Sequence, residues 1–282
     1  MISAFIKKAW IPVAGKGTRL MPLTLHQPKG MVAVLDKPMI HYPLEELRDA
    51  GIKHIILTTA PDQIQYKQYI SYLKKMPEWE DIRFDFTIQK KPTGSADALL
   101  AAQKLLNKEP FVVHFCDNVI VQNPSMTRML INYFSEFKEP IVPIEKVPKS
   151  LMAQYASIRT KKIKKNVYQT LDIIEKPKPE EIISYYSVMP SNILTSDIFP
   201  YIHKAKKYFS KKKEIAIADA LTLYVREGNP VYGWKFDGIV FNTGLMDGLI
   251  KANIYTALKH PEFGKKTNLI YIKSLENKNG VR

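Results

Sequence analysis

The sequence is poor in the features that mark secreted, membrane-embedded and metal-cluster proteins. Its 282 residues include a single cysteine, Cys116, which can form neither an intramolecular disulfide nor a multi-cysteine metal site. This fits a reducing compartment, and we expect a cytoplasmic protein. The longest apolar runs, such as FVVHFC, have the length of a strand, and the N-terminal MISAFIKKAW lacks an apolar core. We therefore expect no signal peptide and no membrane span.

Zinc-finger spacing, RNA-binding aromatic motifs, internal repeats and low-complexity linkers are also missing from the sequence. The chain is nevertheless basic, because 42 Lys and Arg residues against 27 Asp and Glu residues give a net charge of +15. Such a charge attracts nucleic acid, anionic lipid or small anions. Much of it lies in lysine clusters at 161–165 and 211–213, which we interpret mainly as solvated surface. No nucleic-acid partner is expected.

Helical patterns alternate with buried strands in the first half of the chain. The patterns predict strands at 8–13, 54–59, 83–88 and 111–116, and helices at 43–50, 63–75 and 95–106. Such alternation is typical of a parallel sheet with helices on both faces. We therefore predict an α/β protein with a Rossmann-like, mixed but mainly parallel sheet flanked by helices.

After about residue 140 the pattern changes to shorter strands and intermittent helices. Strands are predicted at 140–147, 156–160 and 171–174, with a polar turn at 161–166 and helices at 179–186, 216–226 and 245–260. We predict one domain over 1–282 with two halves, 1–140 and 141–282. The smaller second half carries the C-terminal helices and is added at an edge of the sheet.

A glycine loop, Ala14–Arg19, follows the first strand directly. Its two glycines let backbone N–H groups approach a phosphate, and Arg19 can complete the contact. The loop lacks the Gly-Lys-Ser/Thr ending of a P-loop. It also has Leu20 where a dinucleotide-binding loop has its third glycine. A Gly-x-Gly alone is equally compatible with a simple tight turn.

Longer motifs around the loop decide between these readings. Residues 13–22 (VAGKGTRLMP), 27–31 (QPKGM) and 35–40 (LDKPMI) together resemble the signature of the sugar-1-phosphate nucleotidyltransferases. The resemblance recurs at 89–98, 115–118, 174–177, 193–195 and 241–244, in the same order along the chain. The UTP–glucose-1-phosphate uridylyltransferases are the most similar branch, and the glucose-1-phosphate thymidylyltransferases come next.

The resemblance implies that 1–140 form a nucleotide-binding half and 141–282 a sugar-binding half, and it implies a role for each matching residue. Arg19, Lys29 and Asp117 would be catalytic, with Asp117 and Asn242 at a Mg²⁺ ion. The nucleotide would contact the loop and two residues further on: Val13, Ala14, Gly15, Gly17, Thr18, Arg19, Gln89 and Gly94. Gln89 would pair with the edge of uracil or thymine. Ala156, Glu175 and Lys176 would contact the sugar phosphate. Many family members are dimers or tetramers, so a homo-oligomer is one implied assembly.

The implied reaction needs little proton chemistry. An ionised phosphate oxygen of a sugar 1-phosphate attacks the α-phosphorus of a nucleoside triphosphate in line, and pyrophosphate leaves. The protein must supply positioning and positive charge, which Arg19, Lys29, Lys176 and a metal can provide. The absence of a histidine at the site is therefore no objection.

Four positions depart from the family pattern. Asn242 stands where a second metal-binding aspartate is usual, and amide oxygens bind hard cations more weakly than carboxylates do. Gly30 replaces an acidic residue, Ala156 replaces a glycine beside the sugar, and Pro190 replaces another glycine. Proline has no N–H to offer a sugar oxygen. The nucleotide half therefore matches the family better than the sugar and metal half.

These departures leave several readings open. We favour an active enzyme that uses UTP and glucose 1-phosphate. The alternatives are a dTTP-using thymidylyltransferase, a catalytically impaired nucleotide-sugar-binding homologue, or a nucleic-acid role. Residues 35–43 and 58–61 favour the thymidylyl branch, whereas residues 214–221 and the overall length favour the uridylyl branch. Gln89 would read only features that uracil and thymine share.

Overall fold

The computed structural model describes residues 6–269, which contain strands and α-helices in alternation. The strands are β1 (Lys8–Pro12), β2 (Ala33–Val34), β3 (Lys37–Pro38), β4 (His54–Thr59), β5 (Arg83–Ile88), β6 (Phe111–His114), β7 (Asn118–Val121), β8 (Ile141–Lys146), β9 (Ala156–Lys164), β10 (Val167–Glu175), β11 (Tyr186–Val188), β12 (Ser191–Leu194), β13 (Tyr232–Lys235) and β14 (Ile239–Asn242). The helices are α1 (His41–Asp49), α2 (Ile64–Leu73), α3 (Ser95–Leu106), α4 (Met126–Phe137), α5 (Ile198–Tyr208), α6 (Ile217–Arg226) and α7 (Met246–Lys259).

One ten-stranded sheet runs through both halves of the chain, in the order β11-β9-β10-β13-β8-β12-β6-β1-β4-β5. The β6-β1-β4-β5 section is parallel throughout, with Trp10 of β1 opposite Ile56 of β4 and Val113 of β6. β12 then joins β6 in the antiparallel direction and pairs β8 on its other side. The predicted mixed sheet flanked by helices is confirmed, with the parallel pairing concentrated in the first half.

The second half curls back on itself. β8, β13, β10 and β9 are consecutive neighbours, and β11 pairs both β9 and β8, so that five strands form a closed ring. The strands β9 and β10 make a long antiparallel hairpin whose open ends are Ala156 and Glu175. The hairpin therefore brings these two residues side by side at one end of the ring.

The core has a separate layer on each face of the sheet, because alternate strand residues point to opposite faces. On β1, Ala9 and Ile11 pack in the layer that includes α1, α2 and α4, whereas Trp10 packs in the layer of α3, α5 and α6. A third, smaller cluster joins Leu20 to Leu249 and Ala252 of α7. This cluster fixes the segment after the glycine loop against α7.

Most predicted elements of the first half are present, and two predictions for the second half are wrong. The predicted turn at 161–166 is strand up to Lys164, because β9 continues to pair with β10. The predicted helix at 179–186 is a 3₁₀ turn at Pro179–Glu181 followed by β11. The N–H groups of Ile183 and Ser184 bond to the hydroxyl of Ser157 over 3.2 and 3.1 Å instead of continuing a helix. The helices α4 and α5 were not predicted.

Among residues 6–269, no helix combines the length and the apolarity that crossing a bilayer requires.

Candidate active site

A cleft of about 790 Å³ lies between the two halves of the sheet, near the carboxyl ends of β6 and β10. The strand order reverses between β1 and β6, because the chain runs from β1 to β4 and β5 on one side and returns to β6 on the other. Ligand sites of open α/β sheets occur at the carboxyl ends of strands at such switch points. The cleft is lined by residues from both predicted sites, namely Arg19, Gly94, Asp117, Ala156, Glu175, Lys176 and Asn242. The fold therefore brings together residues that are far apart in the sequence.

Gly17 controls the geometry of the glycine loop. It has a left-handed backbone with φ of 67°, and a short 3₁₀ helix, Thr18–Leu20, follows it. A Cβ atom at Gly17 would lie 2.9 Å from the Cβ of Lys29. Both the conformation and the close approach therefore require glycine. The stem of Lys29 lies directly against this loop.

Lys29 and Asp117 form an ion pair beside the cleft, which Asp117 lines. The Nζ of Lys29 donates to Oδ2 of Asp117 over 2.6 Å, and both side chains are mostly buried. Burial alone would lower the pKa of Lys29, but the Asp117 carboxylate outweighs it and raises that pKa above the usual value. Burial likewise works to raise the pKa of Asp117, but Lys29 outweighs it and holds that pKa below its usual value. Both groups are therefore charged at neutral pH.

Two neighbours complete the electrostatics of this pair. Arg19 is close enough that its charge lowers the pKa of both Lys29 and Asp117. Burial raises the pKa of the Cys116 thiol to about 12, so Cys116 stays a neutral, packed residue. The described residues thus place two cations and one carboxylate beside the glycine loop. Such an arrangement suits a ligand with several negative charges.

Asn242 lies next to Asp117 through the short β7–β14 pairing, in which Asn242 is opposite Asn118. Its Oδ1 is buried and has no hydrogen-bond partner. A Cβ atom at Gly244 would lie 2.6 Å from Oδ2 of Asp117 and 3.2 Å from Oδ1 of Asn242, so the two oxygens flank one small space. Residues 6–269 contain no group of three or more His, Cys, Asp or Glu side chains arranged for a metal ion. A cation here would have two protein oxygens.

The residues that we predict to contact the sugar phosphate lie on the other wall of the cleft. Burial raises the pKa of Glu175, although the charge of Lys176 works in the opposite direction. Lys176 itself has a left-handed backbone with φ of 47°, and its N–H donates to the carbonyl oxygen of Tyr155 over 3.1 Å. The carbonyl of Pro190 accepts from the N–H of Phe115 over 3.3 Å, so this proline contributes through its oxygen.

A second cavity, of about 540 Å³, lies on the other side of the glycine loop and is lined by Ala14, Lys16 and Gln89. The Nε2 of Gln89 donates to the carbonyl oxygen of Gly94 over 2.9 Å. Gly94 has φ of 105°, and a Cβ there would collide with the carbonyl oxygen of Ile215. Gln89 and Gly94 are thus held together between the two cavities.

The remaining loop residues have different surroundings. Val13 is buried and its N–H donates to the carbonyl oxygen of Thr58 over 2.9 Å. Gly15 and Thr18 are exposed, and a Cβ at Gly15 would meet nothing within 4 Å. Of the loop residues predicted to contact the nucleotide, Arg19 lines the cleft and Ala14 lines the second cavity.

The segment before α6 is a part of the site that the sequence interpretation did not include. Lys212 and Lys213, from a cluster that we interpreted mainly as solvated surface, line the large cleft. Nζ of Lys212 bonds to Oδ1 of the buried Asp219 over 2.6 Å, and the N–H of Ala216 bonds to Oδ2 of Asp219 over 2.9 Å. The bond between Ala216 and Asp219 has the i, i+3 spacing of a capping interaction at the start of α6, whereas the pairing of Lys212 with Asp219 has no signature in the spacing of the residues.

Comparison with known proteins identifies relatives over most of the chain. The family model described as nucleotidyl transferase matches residues 8–258. A UTP–glucose-1-phosphate uridylyltransferase of Staphylococcus haemolyticus is 32% identical over 96% of this chain and 98% of its own. The enzyme of that name from Pseudomonas aeruginosa is 31% identical over 88% and 94%.

Comparison with solved structures identifies proteins of the same kind. A UDP-glucose pyrophosphorylase complexed with UDP-glucose has a TM-score of 0.84 and 29% identity over 90% of this chain and 100% of that chain. A putative glucose-1-phosphate thymidylyltransferase from Bacillus anthracis has a lower TM-score of 0.74 and 25% identity, over 93% and 99%. With a family match that spans both walls of the cleft, the chain belongs to the nucleotidyl transferase family.

Proposed function

We propose that this protein is a UTP–glucose-1-phosphate uridylyltransferase, which joins UTP and glucose 1-phosphate to give UDP-glucose and pyrophosphate. The observation that carries the proposal is the cluster beside the glycine loop, in which Lys29 is bonded to Asp117. Asp117 and Arg19 line a cleft shared with Glu175 and Lys176. The relatives named above act on these substrates by their names. The buried free thiol of Cys116 suits a cytoplasmic location.

The proposed mechanism assigns the chemistry to positioning and charge. The loop Ala14–Arg19 holds the triphosphate, and Lys29 lies where negative charge grows as the α-phosphorus is attacked. Lys176, on the opposite wall, brings the phosphate of the sugar into line. The attacking oxygen and the pyrophosphate leaving group are both anionic, so positive charge lowers the barrier without a proton donor. Glu175 accepts hydrogen bonds from sugar hydroxyls.

Asp117 and Asn242 are the residues that would hold a Mg²⁺ ion. Their oxygens flank one space, and the Oδ1 of Asn242 lacks any other partner, which fits the hard oxygen ligands that Mg²⁺ prefers. An ion held there would supply positive charge next to the phosphates. Two protein oxygens would leave other positions of Mg²⁺ open to substrate phosphate oxygens and water.

The choice of nucleotide depends on the contact with the base, and the choice of sugar depends on the lining of the cleft. Gln89, held by Gly94, reads an edge that uracil and thymine share, so dTTP is the second nucleotide to test. Glucose 1-phosphate is the first sugar, and Ala156 and Pro190 are the residues that would shift the preference to another one.

The decisive assay incubates the purified protein with Mg²⁺, UTP or dTTP, and a panel of sugar 1-phosphates, while pyrophosphate release is followed. The variant Lys29→Met should lose at least about a hundredfold in kcat, because it removes a charge that acts on the transition state. Lys104→Met, which changes an exposed lysine on α3, is the matched control and should retain full activity.

Two other outcomes would change the assignment. Nucleotide binding without turnover across the panel, with turnover gained in Asn242→Asp, would make the natural protein a nucleotide-sugar-binding homologue. Tight, strongly salt-dependent binding of DNA or RNA that UTP leaves unchanged would instead indicate a nucleic-acid role.

A further inference from the structure

The backbone of Gly30, the residue after Lys29, is held from two sides. Its N–H donates to the hydroxyl of Tyr66 on α2 over 3.0 Å. Its carbonyl oxygen accepts from the N–H of Ile40, at the start of α1, over 2.8 Å. Gly30 lies inside the 3₁₀ turn Lys29–Met31, so both bonds act on the turn that carries Lys29. The position of this turn therefore depends on α1 and α2.

Tyr66 also occupies the space that a side chain at position 30 would need. A Cβ at Gly30 would lie 2.7 Å from the hydroxyl oxygen of Tyr66 and 3.0 Å from its Cε1. Tyr66 is buried in the core, and burial raises its pKa well above the usual value, so the hydroxyl stays neutral. The hydroxyl of Tyr66 thus lies where the acidic side chain that the family resemblance implies after the lysine would begin.

We propose that Tyr66 is a positioning residue for Lys29, acting through the N–H of Gly30. The inference rests on the proposed function, in which Lys29 contacts the nucleotide. Tyr66 itself touches neither cavity: the two cavities beside the glycine loop are lined by other residues.

The packing of Lys29 explains why a small shift of the turn matters. Its Cβ lies against Gly17, where a Cβ would be only 2.9 Å away, and its Nζ lies 2.6 Å from Oδ2 of Asp117. A side chain confined at both ends follows any movement of its own backbone. Removal of the Tyr66 hydroxyl leaves a buried N–H unpaired and opens a gap beside it, so the turn must move.

The test is Tyr66→Phe, made in the natural protein and in Lys29→Met. We expect kcat to fall roughly tenfold in the natural background, as an unpaired buried N–H shifts the turn, with the KM for glucose 1-phosphate little changed. In Lys29→Met the same change should alter kcat by less than about twofold, because the residue that transmits the effect is gone. Equal losses in both backgrounds overturn the proposal.

Tyr69→Phe is the matched control. Tyr69 lies on the same helix, and its hydroxyl bonds to Nδ1 of His41 over 2.7 Å, so this variant also removes a partly buried hydrogen bond of a tyrosine. That bond goes to α1 and not to the Lys29 turn, so kcat should stay unchanged. A loss equal to that of Tyr66→Phe means that the hydroxyl of Tyr66 contributes only to stability, which overturns the proposal.

A crystal structure of ligand-free Tyr66→Phe gives a readout that does not depend on turnover. We expect Nζ of Lys29 to leave Asp117, and an unchanged separation of 2.6 Å contradicts the inference. If the natural protein has no uridylyltransferase activity, the proposed function fails, while this measurement still decides the role of Tyr66.

Discussion

The substitution Asn242→Asp tests the electrostatics of the cleft without requiring catalysis. Oδ1 of Asn242 and Oδ2 of Asp117 flank the same small space beside Gly244. Two charges about 6 Å apart repel by roughly 3 kcal/mol at an effective dielectric constant of about 20. Lys29, already paired with Asp117, offsets part of this repulsion. We therefore expect Asn242→Asp to lower the free energy of unfolding by about 1–2 kcal/mol when a chelator removes metal ions.

Thermal unfolding with and without Mg²⁺ measures this effect. In a chelator the Tm of Asn242→Asp should fall by about 2–6 °C, and saturating Mg²⁺ should remove most of the difference. Asn123→Asp, an exposed change in the turn before α4, is the control and should change Tm little in either condition. A Tm for Asn242→Asp that is unchanged or higher in the chelator would refute the arrangement of Asp117 and Asn242 around one site.

Two further predictions concern the stability of the fold, one for Gly94→Ala with Gly228→Ala as its comparison and one for Glu46→Gln. Gly94→Ala should destabilise the protein by at least about 3 kcal/mol in urea unfolding, because it combines a left-handed φ with a collision at Ile215. Gly228→Ala has φ of 89° but no atom within 4 Å of the new Cβ, and should lose only about 1 kcal/mol. Burial works to raise the pKa of Glu46, but hydrogen bonds from His114 and Thr127 hold it below the usual value. The ionised carboxylate of Glu46 therefore stabilises the fold above pH 4.5, its usual pKa, and this stabilisation is lost as the pH falls below that value. Glu46→Gln should therefore flatten the decline in the free energy of unfolding below pH 4.5. Equal losses in the two alanine variants, or an unchanged acid decline in Glu46→Gln, would contradict these explanations.

The first half of the fold was predictable because local patterns and tertiary structure agree there. The apolar segment of β4 (His54–Thr59) and the helical segment of α3 (Ser95–Leu106) were predicted with the bounds that the structure has. Each is buried in the way its periodicity indicates. α4 was missed although Ser125 caps it, with its hydroxyl accepting from the N–H of Arg128 over 3.3 Å. That cap, followed by an amphipathic pattern, is a signal that the sequence does carry.

The errors in the second half have tertiary causes. Lys161 and Lys162 read as turn residues, yet they pair with Gln169 and Tyr168 across the hairpin, where strand pairing rather than composition sets the structure. The segment after Pro179 has a good helix start, but the hydroxyl of Ser157 binds its backbone N–H groups instead. Neither partner can be identified from local sequence.

The candidate site shows the same division. The motifs predicted Arg19, Lys29, Asp117 and Glu175. Arg19, Asp117 and Glu175 line one cleft, and Lys29 lies behind its lining, bonded to Asp117. Tyr66 was not predicted, because its contact with Gly30 joins positions 36 residues apart through a hydroxyl that no motif marks. The sequence shows that Gly30 departs from the family pattern. Only the packing of α2 shows that the hydroxyl of Tyr66 fills the space beside Gly30.

The most direct test of the central claim is ³¹P NMR of the purified protein mixed with UTP, glucose 1-phosphate and Mg²⁺. We predict that the signals of UDP-glucose and pyrophosphate grow in equal amounts, and that both grow at least about a hundredfold more slowly with Lys29→Met in place of the natural chain. Full retention of the UTP and glucose 1-phosphate signals, in a protein that binds UTP, would contradict the assignment of this cleft as a uridylyltransferase site.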